Sequence, residues 1–150
     1  MAKPGTSEKP IRVLIVDDHK IIREGLCDLI ASQPGMMVVG DASNRADALG
    51  IVLREQPDVV VLDLDLGAES GLELIPELLQ VLSELIIIVL TGVRNADERD
   101  KAMELGAKGA LLAWPIASLL VHLALTALFG PRDPDPYAMG DYPPQLPPKA

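Results

Sequence analysis

Residues 57–74 read PDVVVLDLDLGAESGLEL. Pro57 denies a preceding helix its next N–H. The four apolar residues 59–62 that follow are rich in β-branched side chains and too few for a helix. A run without polar alternation suits a strand covered on both faces, as in a parallel sheet. It ends on Asp63, and a polar stretch then leads to a longer apolar pattern of helical length at 71–82. The same strand-then-helix unit recurs on both sides. Strands are predicted over 11–16, 37–41, 59–62, 85–90 and 109–113, and helices over 19–32, 45–55, 71–82, 96–105 and 116–129. Such alternation specifies an α/β fold with a parallel sheet. In the first helix Ile22, Leu26, Leu29 and Ile30 form the expected inward stripe, with Lys20, Arg23, Glu24 and Asp28 mostly outside it. Pro34-Gly35, Gln56-Pro57 and Gly106 are expected to end helices.

With 150 residues, a single core is expected, and 49% apolar residues with only 3% aromatics make that core aliphatic. The net charge of -9 disfavours a grip on nucleic-acid phosphates. Cys27 is the single cysteine, which excludes an internal disulfide and a cysteine-based metal site and suits a reducing cytoplasm. Residues 1–10, MAKPGTSEKP, lack a signal-peptide apolar core and read as a disordered leader. Residues 109–130 carry no charge apart from a proton on His122, but Gly106, Gly109 and Pro115 divide the run. The 14-residue piece at 116–129 rises only about 21 Å against roughly 30 Å of hydrocarbon, so no membrane span is expected. From 130 onward the composition turns to GPRDPDPYAMGDYPPQLPPKA, a proline-rich tail or linker without a periodic apolar face. The domain itself is thus expected over 11–129.

In open α/β sheets, ligands bind beyond the carboxyl ends of the strands. Asp17 and Asp18 follow the first strand, Asp63 the third and Thr91 the fourth, so all four are expected at one edge. Single carboxylates there often cap helices. A pair, a third and a threonine at successive strand ends point instead to a site. Clustered carboxylates raise one another's pKa unless a cation joins them. Oxygen donors without cysteine favour magnesium, which keeps waters that a phosphoryl oxygen can replace. Such a site admits an anionic phosphoryl donor to Asp63 as nucleophile. Thr91 offers a hydroxyl, and Gly92 leaves room for the group. His19 lies within reach of a metal there, but its expected role is the start of the first helix.

The segments RVLIVDDHKIIREGL at 12–26, PDVVVLDLDLGAESGLEL at 57–74 and IIIVLTG at 86–92 resemble the receiver domains of two-component response regulators, over residues 11–129. The first segment is most similar to the subgroup with a helix-turn-helix output domain. The resemblance implies a flavodoxin-like, doubly wound five-stranded sheet of order 2-1-3-4-5. It also implies phosphoryl transfer from a sensor histidine kinase to Asp63, with Mg2+ held by Asp17, Asp18, Asp63 and the backbone carbonyl of Asp65. Thr91 would then move inward and reshape the face of the fourth helix, fifth strand and fifth helix, through which a homodimer is expected.

The chain departs from that pattern in several places. The lysine that ends the fifth strand in the family is Ala113, and the aromatic residue within that strand is Ala110. Lys108 stands about 16 Å away along an extended strand, and Lys101 reads as surface. Losing a charge-assisted bond to phosphate costs about 1.5–3 kcal/mol, weakening the switch about ten- to a hundredfold. Gly67 replaces a typical proline, which loosens the loop in the unfolded chain. Trp114 reads as a cover for the sheet edge, and the family's cis peptide is expected at Trp114-Pro115. IASLLVHLALTALF, 116–129, is apolar nearly all round, leaving Val121, Leu125 and Phe129 for a partner or for the tail, with His122 a partly exposed helix residue. Two further readings stand beside the switch. One is a degenerate receiver that binds partners or dimerises without phosphate, favoured by Ala110 and Ala113. The other is a phosphatase using Asp65 as acid/base, which lacks a cap domain and a second basic group. The domain is not expected to be an enzyme beyond its own phosphoryl transfer and hydrolysis.

Overall fold

The computed structural model describes residues 9–91 and 96–112. Among these residues seven strands and four helices follow in the order β1 (Ile11–Val16), α1 (Lys20–Ala31), β2 (Met36–Ala42), α2 (Arg45–Glu55), β3 (Val59–Asp63), β4 (Asp65–Leu66), β5 (Glu69–Ser70), α3 (Gly71–Val81), β6 (Ile86–Thr91), α4 (Ala96–Glu104) and β7 (Gly109–Leu112). Five of the strands form one parallel sheet in the order β2-β1-β3-β6-β7. Leaving out the small β4–β5 hairpin, this is the expected order 2-1-3-4-5 of a flavodoxin-like sheet. The expected fifth helix, with Val121, His122, Leu125 and Phe129, lies outside the described residues, as do Gly92, Ala113, Trp114-Pro115 and the proline-rich segment.

The unbroken apolar runs are explained by burial on two sides. Leu14 and Val16, Val60 and Leu62, and Ile87 and Val89 face α2, α3 and α4, where Ala48, Val52, Leu74, Ile75, Leu78 and Ala102 close the larger core. Their alternate neighbours Val13, Ile15, Val59, Val61, Ile88 and Leu90 point to the opposite face, where Leu26 and Ile30 of α1 cover them. Period-2 alternation is therefore hidden, since both faces demand apolar side chains. α4 is held differently from the others. Ala102 is its one buried residue, and the rest of its face is charged or exposed.

One local feature differs from expectation and two add to it. The inward stripe of α1 is Arg23, Leu26, Cys27 and Ile30, while Ile22 is 50% and Ile21 85% exposed. Arg23 turns in because its guanidinium bonds Asp41 Oδ2 and the Asp17 carbonyl, both at 2.7 Å. A leucine in its place would leave that carbonyl without its guanidinium partner. α2 ends on Gln56, which itself takes the left-handed conformation at φ 46° before Pro57. The β1–β2 register slips between Val13 and Leu14, with Val13 opposite Val38 and Leu14 opposite Gly40, so Val39 is bulged.

Candidate metal and phosphoryl site

The carboxyl ends of β1 and β3 deliver three carboxylates to one edge. Asp17 follows the last residue of β1, and its amide donates to the Ala42 carbonyl at 3.0 Å, which extends the sheet by one residue. Its side chain is only 2% exposed. Asp17 Oδ1 accepts from the His19 amide at 2.8 Å and faces the His19 ring Nδ1 at 3.1 Å. The same nitrogen lies 3.0 Å from Asp18 Oδ1 and 3.7 Å from Asp63 Oδ2. One donor atom from each of Asp17, Asp18, His19 and Asp63 falls within a 4.8 Å group.

Asp63 sits under the strongest electrostatic pressure in this group. Burial pushes its carboxyl from the ordinary 3.8 up to about 6; the Asp65 amide, donating to Oδ1 at 3.0 Å, opposes the rise, and the charges of Asp17, Asp18 and Asp65 add to it. The His19 imidazole is shifted the other way in charge, held protonated to higher pH by its bond to Asp17 and the charge of Asp18. Asp18 Oδ1 is buried and accepts no hydrogen bond despite that nearby nitrogen, whose ring bond goes to Asp17. A buried carboxylate oxygen without a hydrogen bond is costly unless a cation meets it, and here the His19 imidazolium does so at 3.0 Å, a place a metal ion can take. The all-oxygen core of the cluster thus suits a hard divalent ion such as Mg2+.

The loop after Asp63 is tightly built. β4 and β5 pair antiparallel, Asp65 with Ser70 and Leu66 with Glu69, around Gly67 and Ala68. Gly67 takes φ 71°, and a Cβ there would approach Asp18 Oδ2 to 3.1 Å. Proline, locked near φ −65°, could not adopt this turn. The expected loosening by Gly67 is thus joined by a positive requirement for glycine. Gly71 starts α3 directly beneath the site, where an added Cβ would meet the Asp63 carbonyl oxygen at 2.6 Å and Leu64 Cα at 2.7 Å. Glu69 accepts from the Arg45 amide at 2.8 Å, tying the hairpin to the first turn of α2.

The predicted site residues fall into three groups. Asp17, Asp18 and Asp63 are brought together. Thr91 closes β6, next to the strand that carries Asp63, and is 5% exposed. Asp65 heads the hairpin, one residue beyond Leu64. His19 does precede the first helix residue as expected, but its side chain makes no cap bond and its ring turns into the cluster instead. The available signal was its adjacency to the acid pair.

The profile described as response regulator receiver domain matches residues 13–115. The chain belongs to this family. The receiver is 37% identical over 99 residues to the DNA-binding transcriptional activator DevR/DosR of Mycobacterium tuberculosis, covering 66% of this chain and 46% of that protein. It is 35% identical over 102 residues to the transcriptional regulatory protein LiaR of Bacillus subtilis, covering 68% and 48%. The receiver thus spans about half the length of these curated relatives. Among solved structures, a LuxR-family two-component response regulator from Aurantimonas sp. superposes with a TM-score of 0.73 at 32% identity, over 85% of this chain and 91% of that one. The receiver is a signalling domain of two-component regulation. It is also 36% identical over 105 residues to a protein-glutamate methylesterase/protein-glutamine glutaminase of Anaeromyxobacter dehalogenans, covering 69% of this chain and 29% of that protein. No helix among the described residues is long and apolar enough to cross a membrane.

Proposed function

We propose that the receiver accepts a phosphoryl group on Asp63 from the phosphohistidine of a sensor histidine kinase in the cytoplasm, with Mg2+ held by Asp17, Asp18, Asp63 and the Asp65 carbonyl. The observation that carries this reading is the convergence of the three carboxylates at one edge, where a buried Asp18 oxygen accepts no hydrogen bond and is met by the His19 ring in an ion pair. Mg2+, when bound, supplies the positive charge that lets an anionic donor approach this edge. The chain's own contribution begins with Asp63. Its Oδ1 is engaged by the Asp65 amide, which leaves Oδ2 toward the cluster. A carboxylate oxygen forms the new bond to phosphorus as the P–N bond of the phosphohistidine breaks, its electron pair returning to the imidazole; the product is an acyl phosphate that water later hydrolyses. Thr91 donates its hydroxyl to a phosphoryl oxygen and carries the signal toward α4 and β7. A homodimer forms through that face together with Val121, Leu125 and Phe129, and the output lies in a further domain of the type named in the DNA-binding relatives. The acidic chain itself does not contact nucleic acid.

Ala113 and Ala110 favour a second reading, a phosphate-independent interaction or dimerisation module. The two separate on incubation with Mg2+ and acetyl phosphate, followed by intact-mass spectrometry and size-exclusion chromatography, with Asp63→Asn as control. One phosphoryl mass, absent from the variant, is expected, together with a shift in oligomer size. No added mass and an unchanged elution would establish the second reading.

A further inference from the structure

We infer that His19 is a fifth protein ligand at the cation site, a nitrogen donor that makes the receiver prefer a divalent transition ion, represented by Mn2+, over Mg2+. The inference rests on the proposed cation site and concerns which ion it takes. Four features carry it. First, the ring Nδ1 stands 3.1, 3.0 and 3.7 Å from one oxygen each of Asp17, Asp18 and Asp63. Without an ion these are the distances of a ring hydrogen bond to Asp17 and ion pairs to Asp18 and Asp63; adjacent donors around an ion with bonds of about 2.1 Å are about 3.0 Å apart, and opposite ones about 4.2 Å, so an ion that displaces the ring proton finds the nitrogen already at ligand spacing. Second, the whole group of four donors spans no more than 4.8 Å, which needs only small side-chain adjustments to close on an ion.

Third, the ring is not required elsewhere. His19 precedes α1, yet its side chain makes no capping bond, and the bond that anchors this turn comes from its backbone amide to Asp17. The ring is 56% exposed, so nothing in the core depends on it. Fourth, Asp18 Oδ1 is buried and accepts no hydrogen bond, its charge being met by the ring in an ion pair at 3.0 Å, so an ion that takes the ring nitrogen takes this oxygen with it. Mg2+ gains little from exchanging a water for imidazole, whereas first-row transition ions take imidazole readily.

The test uses the whole chain, Mn2+ and Mg2+ as the probes, and His19→Ala with His19→Asn as the second variant. Equilibrium titration gives the two affinities, and pulsed electron paramagnetic resonance of bound Mn2+ reads nitrogen coupling from a directly ligated imidazole. Loss of a ligand should cost at least as much as loss of an outer partner, so the Mn2+ affinity is expected to fall about tenfold or more in both variants. The Mg2+ affinity should stay within about twofold, and the nitrogen coupling should vanish. Binding of both ions with no nitrogen coupling, or with the same Mn2+ to Mg2+ ratio in the variants, would overturn the role of His19 and leave the phosphoacceptor reading standing. No binding of either ion to the unaltered chain would overturn both.

Discussion

Asp63→Asn is expected to stabilise the metal-free receiver at pH 8 and to do so far less at pH 4. The folded chain holds this carboxyl near 6, mainly through burial, against an ordinary 3.8. Between those values the native state binds a proton that the unfolded chain has released. Stability therefore falls as pH rises through that window, and above it the cost of an ionised Asp63 is constant. The full difference corresponds to about 3 kcal/mol. With 18% of the side chain open to water and salt, about 1.5 kcal/mol is the realistic share. Asparagine keeps the shape, and its amide oxygen still accepts from the Asp65 amide, so only the charge is removed. Urea denaturation in a chelating buffer should show a gain of about 1.5 kcal/mol at pH 8, falling to about a fifth of that at pH 4. Saturating Mg2+ should close most of the gap at pH 8 by stabilising the unaltered chain more. A variant that is less stable at pH 8, or a gain of the same size at pH 4, would refute the reasoning.

Gly71→Ala forces a Cβ to within 2.6 Å of the Asp63 carbonyl oxygen, so denaturation should show a loss of about 1–3 kcal/mol, and acetyl phosphate should label Asp63 more slowly. Arg23→Leu makes the observed inward stripe of α1 wholly apolar but removes the partner of the Asp17 carbonyl; a cost of about 1–3 kcal/mol is expected in urea, and an unchanged midpoint would count against Arg23 as the tether. Ala113→Lys supplies the cation that the family pattern places at the end of the fifth strand, and should raise the equilibrium constant for phosphorylation-linked change of oligomer size about ten- to a hundredfold, read by chromatography with and without acetyl phosphate.

Most of the sheet could be read directly from the chain because its strands are buried twice over. Residues 11–16 form the predicted first strand without adjustment, and α2 at Arg45–Glu55 likewise agrees. The acidic edge was equally legible, since a residue that follows a parallel strand has one place to go. What escaped reading depended on contacts between distant segments. Ile22 outranks Arg23 in hydropathy, yet Asp41 of β2 and the carbonyl of Asp17 just beyond β1 decide which of them turns inward. The β4–β5 hairpin is built from pairs of residues too short to alternate, and only the positive φ of Gly67 gives it away. The ring of His19 left the role of its position because the carboxylates beside it offered more than a helix terminus did.

The single anchor of α4 has a consequence for how this receiver can change over generations. Of its nine residues, only Ala102 carries a packing constraint, and the other positions stand exposed. Exchanges at exposed positions usually shift stability by no more than about 0.5 kcal/mol. The helix can therefore exchange one pattern of charge for another with little penalty in folding, and a duplicated copy could acquire a different partner here while its acidic edge stayed unaltered.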